Sequence, residues 1–103
     1  MTVDRLDAIR ARLRRFAEER EWGQFHTPRN LAMAVVSEAG ELAAELRWVE
    51  GDESDAFVRT SPARERVADE VADVGIALLL LCDRAGIDLL DAMERKIEMN
   101  ATR

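Results

Sequence analysis

Apolar residues recur every three or four positions along most of the chain, and no stretch alternates apolar and polar residues as a half-buried strand would. Leu6, Ile9, Leu13 and Phe16 share one face of a first helix expected from about Val3 to about Glu21. The segment Trp22-Gly23-Gln24-Phe25-His26 interrupts it. Thr27 then offers a cap and Pro28 fills the first helical position, where a missing N–H costs nothing, so a second helix is predicted as far as about Trp48. A polar loop from Gly51 to Asp55 and an ambiguous stretch, Ala56–Thr60, come next. Ser61 and Pro62 repeat the cap-plus-proline signal and open a third helix ending near Gly86. Asp88 caps a fourth, short helix through about Asn100. Five Gly and two Pro are the only strong punctuation, with no repeat or linker, so residues 1–103 read as one domain. The expected architecture is all-α: a four-helix bundle or part of one.

The third helix predicts more than its own existence. From Val71 through Cys82 it is apolar nearly all the way round, and such a helix has to be covered on every side. Three other short helices do not suffice, so the bundle is expected to be completed by homo-oligomerisation, as a dimer or tetramer. The longest unbroken apolar run, Val74–Cys82, is far too short to span a bilayer, and residues 1–10 hold no apolar stretch suited to a secretory signal.

Charge narrows the partners. Twenty-one Asp and Glu against 15 Lys and Arg leave a net charge of −6, with no basic stripe to hold a nucleic-acid polymer. A nucleotide stays admissible if a divalent cation mediates the contact. The single cysteine, Cys82, excludes an internal disulfide framework and suits a reducing, cytoplasmic setting.

The acidic residues are placed where helices do not normally put them. Leu31, Val35, Leu42 and Leu46 form the apolar stripe of the second helix; Glu38 falls inside it, Glu41 on its edge and Glu45 one turn further. Glu70 and Asp73 interrupt the stripe Val67, Val74, Ala77, Leu78 and Leu81 of the third. A buried, unpaired carboxylate costs several kcal/mol, so it must protonate, pair or bind a metal. Acids three apart on a helix project from nearly one side, and two such pairs on facing helices are expected to bring Glu38, Glu41, Glu70 and Asp73 to one point. All-oxygen ligands without His or Cys suit Mg²⁺, or Mn²⁺. A di-iron bundle would require Glu-x-x-His pairs, and the only histidine, His26, lies outside both motifs. The ordinary alternative is solvated acids, or acids paired with Arg47, Arg64, Arg66 or Arg84.

Trp22 and Trp48 flank the second helix beside polar sequence, suiting a flat ligand such as a base stacked between them, although a lone Trp usually packs. His26, next to Thr27, suits a hydrogen-bonding role at the helix entrance. Lys96 and Asn100 share a face of the last helix and are able to hold phosphate oxygens, though surface solvation is their ordinary role.

Taken together, the run Glu19 to Ala32, with Trp22, Phe25-His26 and Pro28-Arg29-Asn30-Leu31, resembles the opening of the MazG-like nucleotide pyrophosphohydrolases, especially their dCTP pyrophosphatase branch. Ser37-Glu38-Ala39-Gly40-Glu41-Leu42, Arg47-Trp48, Asp69-Glu70-Val71-Ala72-Asp73-Val74 and Lys96-Ile97-Glu98-Met99-Asn100 extend the likeness from about Leu13 to Asn100. The resemblance implies an all-α fold whose oligomer shares active sites between subunits. It implies Mg²⁺-dependent hydrolysis of nucleoside triphosphates, dCTP-like pyrimidines foremost, to monophosphate and pyrophosphate. By position, Glu38, Glu41, Glu70 and Asp73 would be metal ligands, with Glu38 or Glu41 doubling as general base. Trp22 and Trp48 would contact the base, His26 would line the pocket, and Lys96 and Asn100 would face phosphates or sugar. Three positions depart from the pattern: Ser37 where some relatives carry a second Glu, Ala77 where dCTP-type enzymes carry Tyr, and Leu13 where they carry His. The last two touch the base pocket and leave the metal chemistry intact. The competing function is a non-enzymatic helical oligomerisation or regulatory module that binds nucleotide or protein.

Overall fold

The computed structural model describes residues 2–103, all of whose regular elements are helical. There are five α-helices rather than four: α1 (Thr2–Glu19), α2 (Pro28–Leu46), α3 (Ser54–Arg59), α4 (Ala63–Ala85) and α5 (Leu89–Ala101). The ambiguous stretch supplied the additional one, since α3 uses Phe57 and Val58 as a half-buried face against α4.

The terminators explain the boundaries. α1 stops at Glu19, two residues before its expected end, and Glu21 adopts a left-handed conformation (φ 55°, ψ 35°) that turns the chain away. Thr27 caps α2 as predicted, its hydroxyl accepting from the Asn30 N–H at 3.2 Å, with Pro28 in the first turn. Gly86 (φ 69°) ends α4, its N–H and that of Ile87 bonding to the carbonyls of Asp83 and Cys82. Asp88 caps α5 through the Asp91 N–H. The Ser61 cap is not made. α4 begins only at Ala63, and the Ser61 hydroxyl instead donates to the Glu65 carboxylate at 2.7 Å.

α2 and α4 form the centre and run antiparallel. Leu31 meets Leu80 at one end, Glu38 approaches Glu70 in the middle, and Glu45 pairs with Arg66 at the other. α1 lies on the C-terminal half of α4, where Arg14 makes a bidentate pair with Asp83. That guanidinium holds the Asp83 carboxyl below the usual carboxylate range. Among the described residues, the first turn of α5 approaches α1 and α4 through Leu89 and Leu90, and residues 93–101 are exposed.

One chain buries little. Among the described residues the buried ones are Leu31, Ala63, Ala77 and Cys82, three of them small. Val71 and Ile76 on α4, Ile9 and Phe16 on α1, and Met93 and Ile97 on α5 stay exposed. The accessible surface is 7998 Å², against about 5,800 Å² for a compact monomer of this mass. The radius of gyration is 16.0 Å, against about 13 Å for such a monomer. No helix is long and apolar enough to cross a membrane among the described residues.

Candidate functional site

Midway along the α2–α4 pair, three carboxylates converge. Glu38 and Glu41 come from adjacent turns of α2 and Glu70 comes across from α4; one oxygen of each lies within 4.8 Å of the others. Among the described residues no Lys, Arg or His forms an ion pair with them, because the ion pairs present are Asp7–Arg10, Arg14–Asp83 and Glu45–Arg66. Arginine pairing therefore accounts for Glu45 alone among the five unusually placed acids. Glu70 bears the consequence most heavily. Its Oε2 is buried without a hydrogen-bond partner. Loss of hydration, and then the negative charges of Glu41, Asp73, Glu38 and Glu45, push its pKa above the ordinary carboxylate value. A buried oxygen with no donor, facing two further carboxylates, fits a divalent cation: hard oxygen ligands meet the preference of Mg²⁺, and the cation supplies the charge the protein withholds.

The expected fourth ligand is not part of this close group. Asp73 is exposed and lies one turn on from Glu70, with a side chain one methylene shorter than glutamate. It reaches instead into a cavity of about 240 Å³ whose polar lining is His26, Asn30, Glu38 and Asp73. Ile76, Ala77 and Leu80 of α4 and Leu31 and Ala34 of α2 form its apolar walls. The cavity thus opens directly beside the acids. Ala77, at the position of the family's tyrosine, is one of these walls, and Leu13 lines an adjoining apolar groove with Phe16, Trp22, Ile76 and Leu80.

The segment between α1 and α2 supplies one rim. His26 tilts against Trp22 with ring centres 5.5 Å apart, and Trp22 meets Phe16 edge-on at 5.4 Å. The Asn30 side-chain amide donates to the Phe25 carbonyl at 2.9 Å. From α4, Arg84 donates to the Gly23 carbonyl at 2.8 Å.

Two expectations change within a single protomer. Trp22 and Trp48 do not flank one ligand site in a single protomer: they stand beyond opposite ends of α2, a 19-residue helix about 28 Å long. Trp48 is 85% exposed, accompanied only by the Arg47 guanidinium 5.3 Å from its ring and by a separate groove containing Phe57 and Pro62. Lys96 and Asn100 stay on the exposed part of α5, away from the acids, because the chain turns at Gly86 and leaves α2 behind. His26, expected to line the pocket, lines the cavity with a half-buried ring.

Asn30, Ile76 and Leu80 also line the cavity, and helical spacing contains them. Asn30, Ala34 and Glu38 step by four along α2, and Asp73, Ile76 or Ala77, and Leu80 step by three or four along α4. Arg84 had no such signal, because its partner is a backbone carbonyl in the loop.

Comparison with known proteins follows the same outline. A family model described as the MazG-like family matches residues 33–103. Mouse dCTP pyrophosphatase 1 is 41% identical over 100 residues, and human dCTP pyrophosphatase 1 is 39% identical over 98. In both, the match covers 95% of this chain and 58% of the relative, so the chain spans little more than half the length of these curated relatives. The crystal structure of a pyrophosphatase from Archaeoglobus fulgidus superposes with a TM-score of 0.83 at 37% identity, covering 97% of this chain and 89% of that one.

Proposed function

This chain belongs to the MazG-like family, and from that premise we propose that it is a nucleoside triphosphate pyrophosphohydrolase, cleaving (deoxy)nucleoside triphosphates to monophosphate and pyrophosphate with Mg²⁺. The observation that carries the proposal is the unpaired triad Glu38, Glu41 and Glu70, with its orphaned Glu70 oxygen, beside a cavity. The relatives named dCTP pyrophosphatase and pyrophosphatase support the same reading and make a dCTP-like pyrimidine the first substrate to try. The setting we assign is cytoplasmic pool sanitation.

Glu38, Glu41 and Glu70 hold the cation in this reading, with Asp73 at the edge towards the cavity. When bound, Mg²⁺ offsets the charge of the triphosphate and polarises its α-phosphoryl group. Glu38 or Glu41 accepts a proton from water as the water oxygen bonds to the α-phosphorus. The bond from that phosphorus to the bridging oxygen breaks, and pyrophosphate departs with the electron pair. His26 and Trp22 bound the base side, where Ala77 and Leu13 leave more room than Tyr and His would. A homo-oligomer belongs to the proposal as well: a second protomer covers the exposed apolar faces and is the only source of a Trp48 or Lys96 near the same ligand.

The test is a panel of ribo- and deoxynucleoside triphosphates incubated with protein and Mg²⁺, assayed for pyrophosphate. Pyrophosphate from at least one pyrimidine deoxynucleotide is expected, and chelation should remove it. Orthophosphate alone, or no product from any nucleotide, would leave the non-enzymatic module as the better account.

A further inference from the structure

The loop that carries Trp22 and His26 is attached to the two central helices in different ways. On the α2 side the attachment is continuous: the chain runs into Thr27 and Pro28, and the Asn30 amide holds the Phe25 carbonyl. On the α4 side, among the described residues, the one side-chain hydrogen bond is that from Arg84 to the Gly23 carbonyl. α4 is also the helix that carries Glu70 and Asp73. We infer that Arg84 is a positioning residue, tying the Trp22–His26 loop to the helix that bears half of the acidic site and so setting the width of the nucleotide pocket. The inference rests on the proposed function for its substrate and on the loop geometry for its mechanism.

Three observations point the same way. His26 lies between the two sites, lining the cavity that contains Glu38 and Asp73 and also a second cavity of about 170 Å³ lined by Gly23, Asp83 and Arg84. The loop's internal bonds, from the Phe25 and His26 N–H groups to the Trp22 carbonyl, give it one shape but do not attach it to α4. The loop also enters through Glu21 in a left-handed conformation unusual for a side chain of that size. A non-glycine residue held there costs on the order of 1–3 kcal/mol and persists where the surrounding structure holds it. Arg84 suits the task because a guanidinium offers several donors in a fixed plane, and its neighbour Asp83 is already occupied by Arg14. Arg84 touches no acid of the triad, so its influence on chemistry passes through His26 and Trp22.

Arg84→Met keeps most of the stem and removes the donors; Arg84→Lys keeps the charge and one reaching donor. For the best nucleotide of the panel, Arg84→Met is expected to raise KM by about three- to tenfold, the net worth of a typical exposed hydrogen bond, with kcat within about twofold. Mn²⁺ affinity of the nucleotide-free protein should be unchanged, and Arg84→Lys should recover a substantial part of KM. In a Trp48→Phe background, acrylamide quenching of Trp22 fluorescence should increase in Arg84→Met and be partly restored in Arg84→Lys. Unchanged KM and quenching in Arg84→Met would overturn the inference. So would joint loss of Mn²⁺ affinity, kcat and Tm in both variants, which would mark Arg84 as a general structural residue. Should the wild-type protein release no pyrophosphate from any nucleotide, the proposed function fails, and the quenching series alone decides the tie.

Discussion

Glu70 is the residue at which burial and charge conflict most directly. Its pKa is raised by lost hydration first and by four neighbouring carboxylates second. A folded-state pKa above the unfolded one means that protonation favours the fold. The stabilisation is complete below the ordinary carboxylate range and is lost as pH rises through the elevated value. Asp83 behaves oppositely: with its pKa lowered by Arg14, it contributes above the ordinary range and loses that contribution as pH falls through the depressed value. The Asp83 pair is half-exposed, so its contribution is small. Glu70→Gln should therefore raise the Tm of metal-free protein at pH 7 and abolish most of the stabilisation by added Mg²⁺. Under the proposed function, its release of pyrophosphate from nucleotide should fall by at least ~10- to 100-fold, the range for disturbing a metal's outer shell. A melting series with EDTA and with Mg²⁺ checks both. Equal Mg²⁺ stabilisation of variant and wild type would remove Glu70 from the ligand set.

At the scale of elements, the α2–α4 pair is the scaffold and the caps decide where its side chains fall. Thr27 starts α2 at Pro28, which places Asn30, Ala34 and Glu38 along one line and keeps the His26 loop over the cavity. Thr27→Ala removes the acceptor of the Asn30 N–H and should cost about 1 kcal/mol. For a domain of this size that corresponds to a fall in Tm of about 4–8 °C. Thr27→Ser retains the hydroxyl and should recover most of it, as calorimetry would show. A Thr27→Ala protein melting with the wild type would mean that packing alone sets the start of α2. Arg66 acts at the other end by engaging Glu45 at 3.1 Å. It occupies the acid next along α2 and leaves Glu38 and Glu41 as that helix's two unpaired members of the triad.

The whole molecule is more open than a compact monomer of its mass, which is the basis of the proposed homo-oligomer. An excess of about 2,000 Å² per chain over a compact chain of this mass, about 4,000 Å² over two chains, falls in the range that large obligate interfaces remove from water. The exposed Val71 and Ile76, and an α5 without a neighbour along most of its length, show where that surface lies. Light scattering should give a mass that is a multiple of 11.6 kDa, and Tm should rise with protein concentration, as mass action requires of a folded oligomer. A mass of one chain at every concentration, with a constant Tm, would defeat the oligomer.

The helical class, the central pair of helices, the caps at Thr27 and Asp88 and the stop at Gly86 were legible in the sequence, because each depends on contacts within a few residues. So was the convergence of Glu38, Glu41 and Glu70, which the spacing of acids within apolar stripes already implied. What lay outside reach depends on how far a side chain extends once the helices are packed. Asp73 lines the adjoining cavity with Glu38 and stands outside the closest group of oxygens, a placement that spacing alone did not give. Trp22 and Trp48 looked like partners across a helix until the length of α2 separated them. Arg84 gave no local signal because it binds a backbone carbonyl 61 positions earlier in the chain. Local pattern determined which residues face inward, and tertiary packing decided which of them meet.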